Sequence, residues 1–369
     1  MSVSLTNISE QENNTLAFTL SGLNVSLANA IRRTILSDIP VVGIYTQTYK
    51  ENQCVIEKNT CRLHNEILKQ RLSCIPIHSK NMETLPGNYV LEVEKKNDTD
   101  NMMYVTTEDF KIKNKQNDNY LTKEETQKIF PPNDKTNMFI DFTRLRPKIS
   151  DTIPGEELKL AAEFSVHKAK EDSMYNVVSK CSYGNTPDMD KVNAAWKDME
   201  KKLQSEELTQ DEIEFQKRNF YLLDAQKYYK EDSFDFVIQT IGIYDNKEIV
   251  LKSCDILKDK FKLLLESINS DTLSIVLSET TMDNCYDVIL VDEDYTIGKV
   301  LEYFIYDNYF IKDQDVLFCG FKKFHPHDDS SRIRIAFKDK VDKQMVGEYI
   351  HKVCNQAIQF YSEIEKLFT

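Results

Sequence analysis

Glycine is scarce in this chain, at 9 of 369 residues. No stretch has the glycine spacing of a Walker or dinucleotide-binding loop, whose backbone must come close to phosphates. The chain also lacks an apolar run of membrane-spanning length and an N-terminal pattern typical of a signal peptide. We therefore expect an intracellular protein without a nucleotide-binding loop and without a membrane-spanning helix.

Paired cysteines are absent too. Eight cysteines are scattered without a C-x-x-C pair, which indicates buried free thiols in a reducing compartment and disfavours a disulfide framework. Four residues of the first half have side chains that zinc prefers: Cys54, Cys61, His64 and Cys74. Their spacing is irregular, and His325 and His327 only flank a proline. The sequence therefore predicts no metal and no cofactor.

An excess of positive charge is also missing. The 47 Lys and Arg residues are outnumbered by 60 Asp and Glu residues, which gives a net charge of −13. Because an acidic surface repels phosphate, this net charge disfavours a protein whose main function is to bind nucleic acid. With 41% hydrophobic residues, a chain of this length can form cores in two or three domains.

The stretch from Ser26 to Pro40 predicts an amphipathic helix. The Ser26 hydroxyl can serve as the N-cap, and Pro40 ends the helical run. One face carries side chains at three- and four-residue spacing: Leu27, Ala30, Ile31, Thr34 and Ile35. The neighbouring Arg32 and Arg33 cannot both lie in that stripe. On the residues alone, an ordinary helix with solvated arginines is the simpler interpretation.

A family resemblance changes this interpretation. The string N-A-I-R-R-x-I-L-x-D-I-P, residues 29–40, resembles the first dimerisation helix of the α family of cellular RNA polymerases. That family comprises bacterial α, its archaeal counterpart and the third-largest subunit of RNA polymerase II. Residues 62–77, with Glu66 and Arg71 around a short helix before Ile75-Pro76, are similar to its second signature. Residues 167–183, a basic loop followed by a strand that ends in Ser182-Tyr183, are similar to its third.

The second half of the chain repeats the first. Residues 292–305, when laid on the opening helix, place Thr296 on Ser26 and Leu301 on Ile31. The E-D-Y-T-I-G block, the V-L-F-C-G-F-K strand and the H-P-H turn resemble the eleventh-largest subunit of RNA polymerase II, the smaller partner of the α-like subunit. Lys299 and Glu302 depart from that family, which usually has asparagine and arginine there.

Two further helices carry apolar residues in heptad register. Residues 191–230 are strongly helical, and Thr209 and Glu212 form a capping box that marks the start of a second helix there. A helix over residues 255–268 and a long C-terminal helix then share a spacing of three and four, which predicts that they pack together. The predicted seam consists of Leu257, Phe261, Leu264, Ile268, Val346, Ile350, Val353, Ala357, Phe360, Ile364 and Leu367.

The resemblance implies an α+β fold in which two α-like dimerisation modules, each an antiparallel sheet with long helices, pack as an intramolecular pseudo-heterodimer. The expected domains are residues 1–45 with 155–268, an inserted domain at 46–154, and a smaller dimerisation domain at 269–369. Such a chain would have no catalytic site. It would be the assembly platform of a multisubunit DNA-directed RNA polymerase, as in the fused subunits of large cytoplasmic DNA viruses.

The resemblance also implies partners. These are the largest and second-largest polymerase subunits and the small polymerase subunits, without sequence-specific DNA contact and without a membrane. The implied subunit interface is centred on Asn29, Arg32, Arg33, Glu66 and Arg71. The expected location is the cytoplasmic viral factory of an infected cell, and the virion. The alternative is a freestanding acidic nucleic-acid-binding or interaction protein that places Arg32, Arg33 and the loop 167–170 on phosphates.

Overall fold

The computed structural model describes residues 3–150, 152–205, 209–279 and 282–369. The chain forms two compact units. The first unit comprises Met1–Ile35, Lys180–Gln239 and Asn246–Thr369, and the second comprises Leu36–Ser179 and Thr240–Asp245. The predicted inserted domain, residues 46–154, lies within the second unit, and the predicted domain bounds stay a prediction.

The described residues form eight α-helices and sixteen strands. The helices are α1 Val25–Ser37, α2 Asn65–Ser73, α3 Lys123–Ile129, α4 Met189–Ser205, α5 Gln210–Leu222, α6 Asn246–Asn269, α7 Tyr295–Ile305 and α8 Lys343–Phe368. The strands are β1 Ser4–Gln11, β2 Thr15–Ser21, β3 Pro40–Gly43, β4 Cys54–Asn59, β5 Tyr89–Lys96, β6 Met103–Thr106, β7 Lys111–Asn114, β8 Asp141–Leu145, β9 Glu157–Glu163, β10 Ser165–Lys168, β11 Val178–Pro187, β12 Tyr229–Thr240, β13 Ser274–Leu277, β14 Cys285–Val291, β15 Val316–Lys322 and β16 Ser330–Phe337. The mixed α+β architecture with antiparallel sheets confirms the predicted fold class.

The first unit contains one folding pattern twice. Its two four-stranded sheets have the orders β1-β2-β12-β11 and β13-β14-β16-β15, so equivalent strands occupy equivalent places. Residue n of the first copy corresponds to residue n + 270 of the second: β2 begins at Thr15 and β14 at Cys285, and α1 begins at Val25 and α7 at Tyr295. The turn before each helix also matches, since Gly22 and Asp292 both have positive φ, 83° and 56°. The sequence repeat is therefore a repeat of structure.

The helix caps lie two residues earlier than the sequence predicts. The side chain of Asn24, not of Ser26, accepts the Ser26 backbone N–H, at 2.9 Å. Asp294 is the N-cap of α7 in the same way, accepting from the Thr296 backbone at 2.8 Å. Asn and Asp cap at least as well as Ser and Thr, because an oxygen on a short side chain reaches the first free N–H groups. The alignment of the two copies is unaffected, because Asn24 and Asp294 are themselves 270 residues apart.

Helices α6 and α8 pack against each other in the first unit. Their direction is antiparallel: Lys258 contacts Glu365 near one end, and Lys343 contacts Asp271 near the other. Ten residues of α8 are buried: Val346, Gly347, Ile350, Val353, Cys354, Ala357, Phe360, Tyr361, Ile364 and Phe368. The prediction for Leu367 was wrong, because its side chain is exposed and Phe368 is buried in its place. Leu264 and Ile268 of α6 are half-buried, whereas Leu257 and Phe261 are fully buried.

The connections between equivalent strands differ in length. In the first copy, β11 and β12 are joined by helices α4 and α5, and in the second copy β15 and β16 are joined by residues 323–329 alone. The two helices have a small core of their own around Trp196 and Phe220, whose ring centroids lie 5.5 Å apart. The predicted capping box at Thr209 and Glu212 is confirmed.

The second unit has its own sheets and its own core. Strands β4, β9, β5 and β7 form one sheet, and β6 pairs with β8 and β3 with β10. The core includes Leu68, Leu91, Phe142 and Leu160. Strand β3 ends at Gly43, and residues 75–77 lie outside any strand.

Candidate subunit interface

Arg33 of α1 contacts the N-terminus of α7. Its Nε donates to the Thr296 hydroxyl at 2.9 Å, and its terminal NH2 group lies 2.6 Å from the Asp294 carboxylate. Both charged side chains are about one third exposed, at 33% and 32%. The planar guanidinium thus spans two acceptors at once, a geometry that lysine cannot reproduce. We call the contact of Arg33 with Asp294 and Thr296 the α1–α7 clasp.

Asp294 has two roles in this clasp, since it caps α7 and accepts from Arg33. Burial raises the pKa of its carboxyl, but the hydrogen bonds from Thr296 and the charge of Arg33 act against burial and hold the pKa below its ordinary value. The carboxylate also lies at the positive end of the α7 dipole, which favours its charged form. The clasp is therefore an ionised pair at neutral pH.

The remaining predicted residues of α1 form a local pair. Arg32 Nε donates to the side-chain oxygen of Asn29 at 2.9 Å, and both side chains are half-buried. The equivalent residues of the second copy, Lys299 and Glu302, form an ion pair at 2.5 Å. The same pair of positions, one helical turn apart, therefore carries a positive group in the first copy and a compensated charge pair in the second.

The α6–α8 seam combines apolar packing with one shielded cation. Lys258 Nζ lies 2.8 Å from Asp255 and 2.5 Å from Glu365, with only 13% of the lysine side chain exposed. The rings of Phe261 and Tyr361 stack with centroids 6.3 Å apart. The Tyr361 hydroxyl is buried without a hydrogen-bond partner among the described residues. The ion pair between Lys258 and Glu365 joins the two copies beside the apolar residues.

Glu66 and Arg71 belong to the second unit, so they lie on a different unit from Asn29 and Arg32. Arg71 donates to two carbonyl oxygens of β8, those of Phe142 at 2.8 Å and Asp141 at 2.6 Å. Glu66 is 94% exposed in the first turn of α2. Arg71 therefore anchors α2 to a strand, while Glu66 is open to solvent.

The loop after β10 has a different character from a phosphate-binding loop. The His167 ring stacks between Tyr175, at 4.6 Å between centroids, and Tyr45, at 5.4 Å. Its Nδ1 lies 2.6 Å from the Glu171 carboxylate. The two tyrosine rings and the Glu171 carboxylate thus fix the position of His167, which precedes the basic part of the loop.

A serine also touches this histidine. Ser165 Oγ lies 2.6 Å from His167 Nε2. The same hydroxyl donates to the Gln53 side-chain oxygen at 2.5 Å, whereas a nucleophilic serine would donate its proton to the histidine. These contacts order the loop.

The cysteines and histidines considered above as metal ligands do not form a metal-binding cluster within the residues that the structure describes. Among the residues that the structure describes, no group of three or more His, Cys, Asp or Glu side chains is placed to hold a metal ion. Burial raises the pKa of Cys54 to about 11, which keeps it a thiol, whereas a metal binds the thiolate. Within the same described ranges, none of the helices has both the length and the apolarity to cross a membrane.

Comparison with known proteins decides the family. Residues 17–261 match a model described as the RNA polymerase Rpb3/Rpb11 dimerisation domain, and residues 285–367 match a second model of the same description. The chain belongs to the Rpb3/Rpb11 dimerisation-domain family. Each match covers one of the two copies seen in the first unit, so the repeat corresponds to two such domains in one chain.

Individual relatives are subunits of RNA polymerases. Subunit 3B of the DNA-directed RNA polymerases IV and V of Arabidopsis thaliana is 24% identical over 303 residues, 71% of this chain and 91% of that protein. Subunit RPAC2 of polymerases I and III of Danio rerio is 35% identical over 69 residues, 19% of this chain and 57% of that protein. Subunit Rpo3 of Pyrococcus furiosus is 36% identical over 70 residues, 19% of this chain and 24% of that protein. The latter two are matched over less than two thirds of their length.

Sequence reasoning missed the partners of Arg33. Asp294 and Thr296 lie 261 and 263 residues further along the chain, so no local spacing relates them to α1. The available signal was the repeat, since aligning the two copies puts Asp294 at the start of the second dimerisation helix. Sequence reasoning also missed Cys254, Cys354 and Tyr361, which lie beside the predicted seam positions and are buried with them.

Proposed function

We propose that this chain is the non-catalytic assembly platform of a multisubunit DNA-directed RNA polymerase. Its two Rpb3/Rpb11 dimerisation domains would serve as the two partners of a platform heterodimer, fused in one chain. The family match supports membership of a polymerase, and the relatives named above are polymerase subunits. The role would be to bring the two largest subunits together for transcription, without chemistry of its own.

The observation that carries the proposal is the joining of the two copies within one unit. The α1–α7 clasp and the α6–α8 seam both run from the first copy to the second. Family domains that dimerise need a partner for their apolar helices, and here the second copy supplies it. The chain can therefore act as a ready-made heterodimer, which frees its other surfaces for further subunits.

Asn29 and Arg32 of the first unit, and Glu66 and Arg71 of the second, are each proposed to contact the second-largest subunit. Arg32 supports this role because it is half-exposed and paired only with a neutral amide among the contacts described above. Arg33 was predicted to share that surface, but its guanidinium lies on Asp294 and Thr296, so we assign it first to the clasp. The largest subunit and the small subunits would bind elsewhere, without sequence-specific DNA contact.

We also propose an origin and a location. The fusion of two dimerisation domains is similar to polymerase subunits of large cytoplasmic DNA viruses, and the Asn- and Lys-rich composition is compatible with such a source. The chain would then work in the cytoplasmic viral factory and enter the virion with the polymerase. Fractionation of infected cells and mass spectrometry of purified virions would test this location.

The rival function is that of a freestanding acidic nucleic-acid-binding or interaction protein. It requires Arg32, Arg33 and the loop at 167–170 to face phosphates. Arg33 is engaged by a carboxylate, and Glu171 contacts His167 at the start of that loop. With a net charge of −13, the whole molecule would also repel a polyanion. The platform role is therefore preferred.

Affinity purification of the full chain from its native host, followed by mass spectrometry, tests the proposal. We expect stoichiometric recovery of the two largest polymerase subunits. Arg32→Ala should reduce recovery of the second-largest subunit strongly, since losing one side of a buried charged hydrogen bond costs roughly 2–5 kcal/mol. Lys299→Ala, at the equivalent position of Asn29 in the second copy, is the control and should leave recovery unchanged. Recovery without any large polymerase subunit would contradict the platform role.

A further inference from the structure

The sheet of the second copy, β13-β14-β16-β15, has one face that the dimerisation helices do not cover. In-register pairing places Val276, Asp287, Arg334 and Gly320 in one cross-strand row. The next row on the same face contains Ser274, Ile289, Arg332 and Lys322. The alternate residues, such as Val288, Ile333 and Ile335, are fully buried and face the core. We call these two rows, together with Phe324, the outer face.

Charge on the outer face is unbalanced. Asp287 is its single carboxylate, and only 3% of that side chain is exposed. It accepts two bonds from Arg334, at 2.7 and 2.8 Å, and a third from Arg332 at 3.2 Å. The Arg334 hydrogen bonds lower the pKa of Asp287, so the carboxylate is charged at neutral pH. Three cations, counting Lys322, thus share one anion.

Two of these cations stand directly opposite each other. Lys322 and Arg332 are register partners across β15 and β16, an arrangement that costs stability because like charges repel. Both rest on the same ring, with Lys322 Nζ 4.6 Å and the Arg332 guanidinium carbon 4.5 Å from the centre of Phe324. Phe324 itself is 55% exposed. The ring compensates part of the repulsion, and an external anion would relieve the rest.

The first copy provides an internal comparison. The equivalent face of its sheet carries hydroxyls and one carboxylate, with Thr19 and Thr186 both donating to Asp235, at 2.7 and 2.9 Å. Ser21 and Ser233 bond each other across the strands at 2.7 Å. Position 287 of the second copy corresponds to Ala17, which is neutral. The basic outer face is therefore a property of the second copy and not a requirement of the fold.

We propose that the outer face binds an acidic segment of another polymerase subunit, an inference that rests on the platform function proposed above. Two unneutralised positive charges set the chemistry of the partner, because carboxylates match a guanidinium in geometry as well as in charge. Exposed apolar side chains surround these charges, namely Val276, Val291 and Phe318 at 44%, 66% and 41% exposure. Arginine and aromatic residues within an apolar setting are typical of protein interfaces. They favour a protein partner over a phosphate backbone.

Photocrosslinking in the full chain tests this surface. A benzophenone amino acid would replace Val276 on the edge strand β13 of the face, or Phe215 on α5 as an exposed control, 62%. The polymerase would be isolated by affinity purification of this chain. We then expect crosslinks from position 276 to an Asp- and Glu-rich segment of another polymerase subunit. The control position should not crosslink to that segment.

A pair of neutralised variants completes the test. Lys322→Gln with Arg332→Gln leaves the Arg334–Asp287 pair intact and should reduce that crosslink at least about tenfold while the melting temperature is kept. Lys201→Gln with Lys227→Gln removes the same charge from exposed helical positions and should change nothing.

Three results would overturn the proposal. If the polymerase is recovered but position 276 crosslinks to no subunit, the docking surface fails and the platform function stands. If position 276 crosslinks to nucleic acid instead, the partner class is wrong. If the wild-type chain recovers no polymerase subunit, the platform function and the docking surface fail together.

Discussion

Asp294 makes three interactions: it caps α7, its charge is favourable at the positive end of the helix dipole, and it accepts a hydrogen bond from Arg33 of the other copy. These roles need different properties of the side chain. Capping needs only a short side-chain oxygen, which asparagine also has, whereas the clasp needs a negative charge. Asp294→Asn therefore separates the two roles.

We expect Asp294→Asn to destabilise the chain by roughly 1 kcal/mol or less at neutral pH, because the partly exposed ion pair is screened by solvent. The pKa of Asp294 is lower in the folded chain than the ordinary value of 3.8. A carboxyl with a lowered pKa stabilises the fold above its unfolded pKa, and this contribution disappears as the pH falls through the folded pKa. Wild type and variant should thus differ between pH 5 and 7 and converge in strong acid. Denaturant unfolding across pH would measure this.

The Arg33→Gln background is the control for that experiment. If the clasp causes the difference, Asp294→Asn should have a smaller effect once the guanidinium is gone. An effect of equal size in both backgrounds would show that the helix dipole, and not Arg33, interacts with the carboxylate.

Tyr361 offers a second test at the residue scale. Its hydroxyl is fully buried and has no hydrogen-bond partner among the described residues, and burial raises its pKa well above 10. A buried, unpaired hydroxyl costs roughly 1–3 kcal/mol. Tyr361→Phe keeps the ring that stacks on Phe261, so we expect the free energy of unfolding to stay constant or to rise by about 1 kcal/mol. A clear loss of stability would reveal a partner for this hydroxyl.

At the scale of elements, α8 is the longest helix of the described chain, and its buried face is wider than a coiled-coil stripe. The predicted heptad positions run from Val346 to Leu367, but a straight helix drifts by about 20° per heptad relative to that register. After three heptads the drift carries Leu367 away from α6 and brings Phe368 inward, against Phe18, with ring centroids 5.0 Å apart. The same width buries Gly347, Cys354 and Tyr361.

Alanine substitutions along α8 should follow this burial. Ile350 is fully buried, so Ile350→Ala should cost about 2–5 kcal/mol from lost apolar contact and a residual cavity. Leu367, 37% exposed, is the matched aliphatic control in the same helix, and its replacement should cost less than about 1 kcal/mol. Chemical denaturation measures both. Equal losses would mean that the heptad register, and not the observed burial, describes the seam.

At the scale of the whole molecule, the clasp favours the pairing of a first copy with a second copy over the pairing of like copies. Position 33 of the first copy corresponds to Tyr303 of the second, and Asp294 corresponds to Asn24. Only a pairing of first copy with second copy puts a guanidinium opposite a carboxylate at this contact. Two first copies would offer Arg33 an amide, and two second copies would offer Asp294 a tyrosine. The charges therefore favour the fused heterodimer over the pairing of like copies from different chains.

Cleavage of the folded chain tests how the copies are held. A protease site in the turn at Ser270–Thr272 would separate residues 1–270 from the rest after folding. We expect the two pieces to stay together on a sizing column, because the seam and not the linker holds them. Pieces that separate in the wild type would contradict the intramolecular heterodimer.

Charge reversal in the cleaved chain then tests the clasp. Arg33→Asp should weaken the association of the pieces, since two carboxylates would face each other. Adding Asp294→Asn should strengthen it again, although the same substitution weakens the wild type. This change of sign can be measured as the salt or denaturant concentration at which the pieces separate. The same sign in both backgrounds would show that residues 33 and 294 do not interact.

The sequence alone determined the elements whose signal is periodic. The spacing of apolar residues predicted α1, α8 and residues 255–268 of α6, because a regular helix repeats every 3.6 residues wherever it lies. It missed the first part of α6, which begins at Asn246. The alignment of residues 292–305 with the opening helix predicted the second copy. The Thr209 capping box also followed from the sequence, because its contacts span only three residues.

Tertiary structure decided whatever depends on residues distant in the chain. Arg33 could not be assigned to Asp294, 261 residues away, because an arginine on a helix surface looks the same in sequence whether it faces solvent or another helix. The three cations of the outer face come together only through the register of three strands. Local spacing fixes which face of an element is apolar, but the charges that meet across that element depend on how the chain folds back on itself.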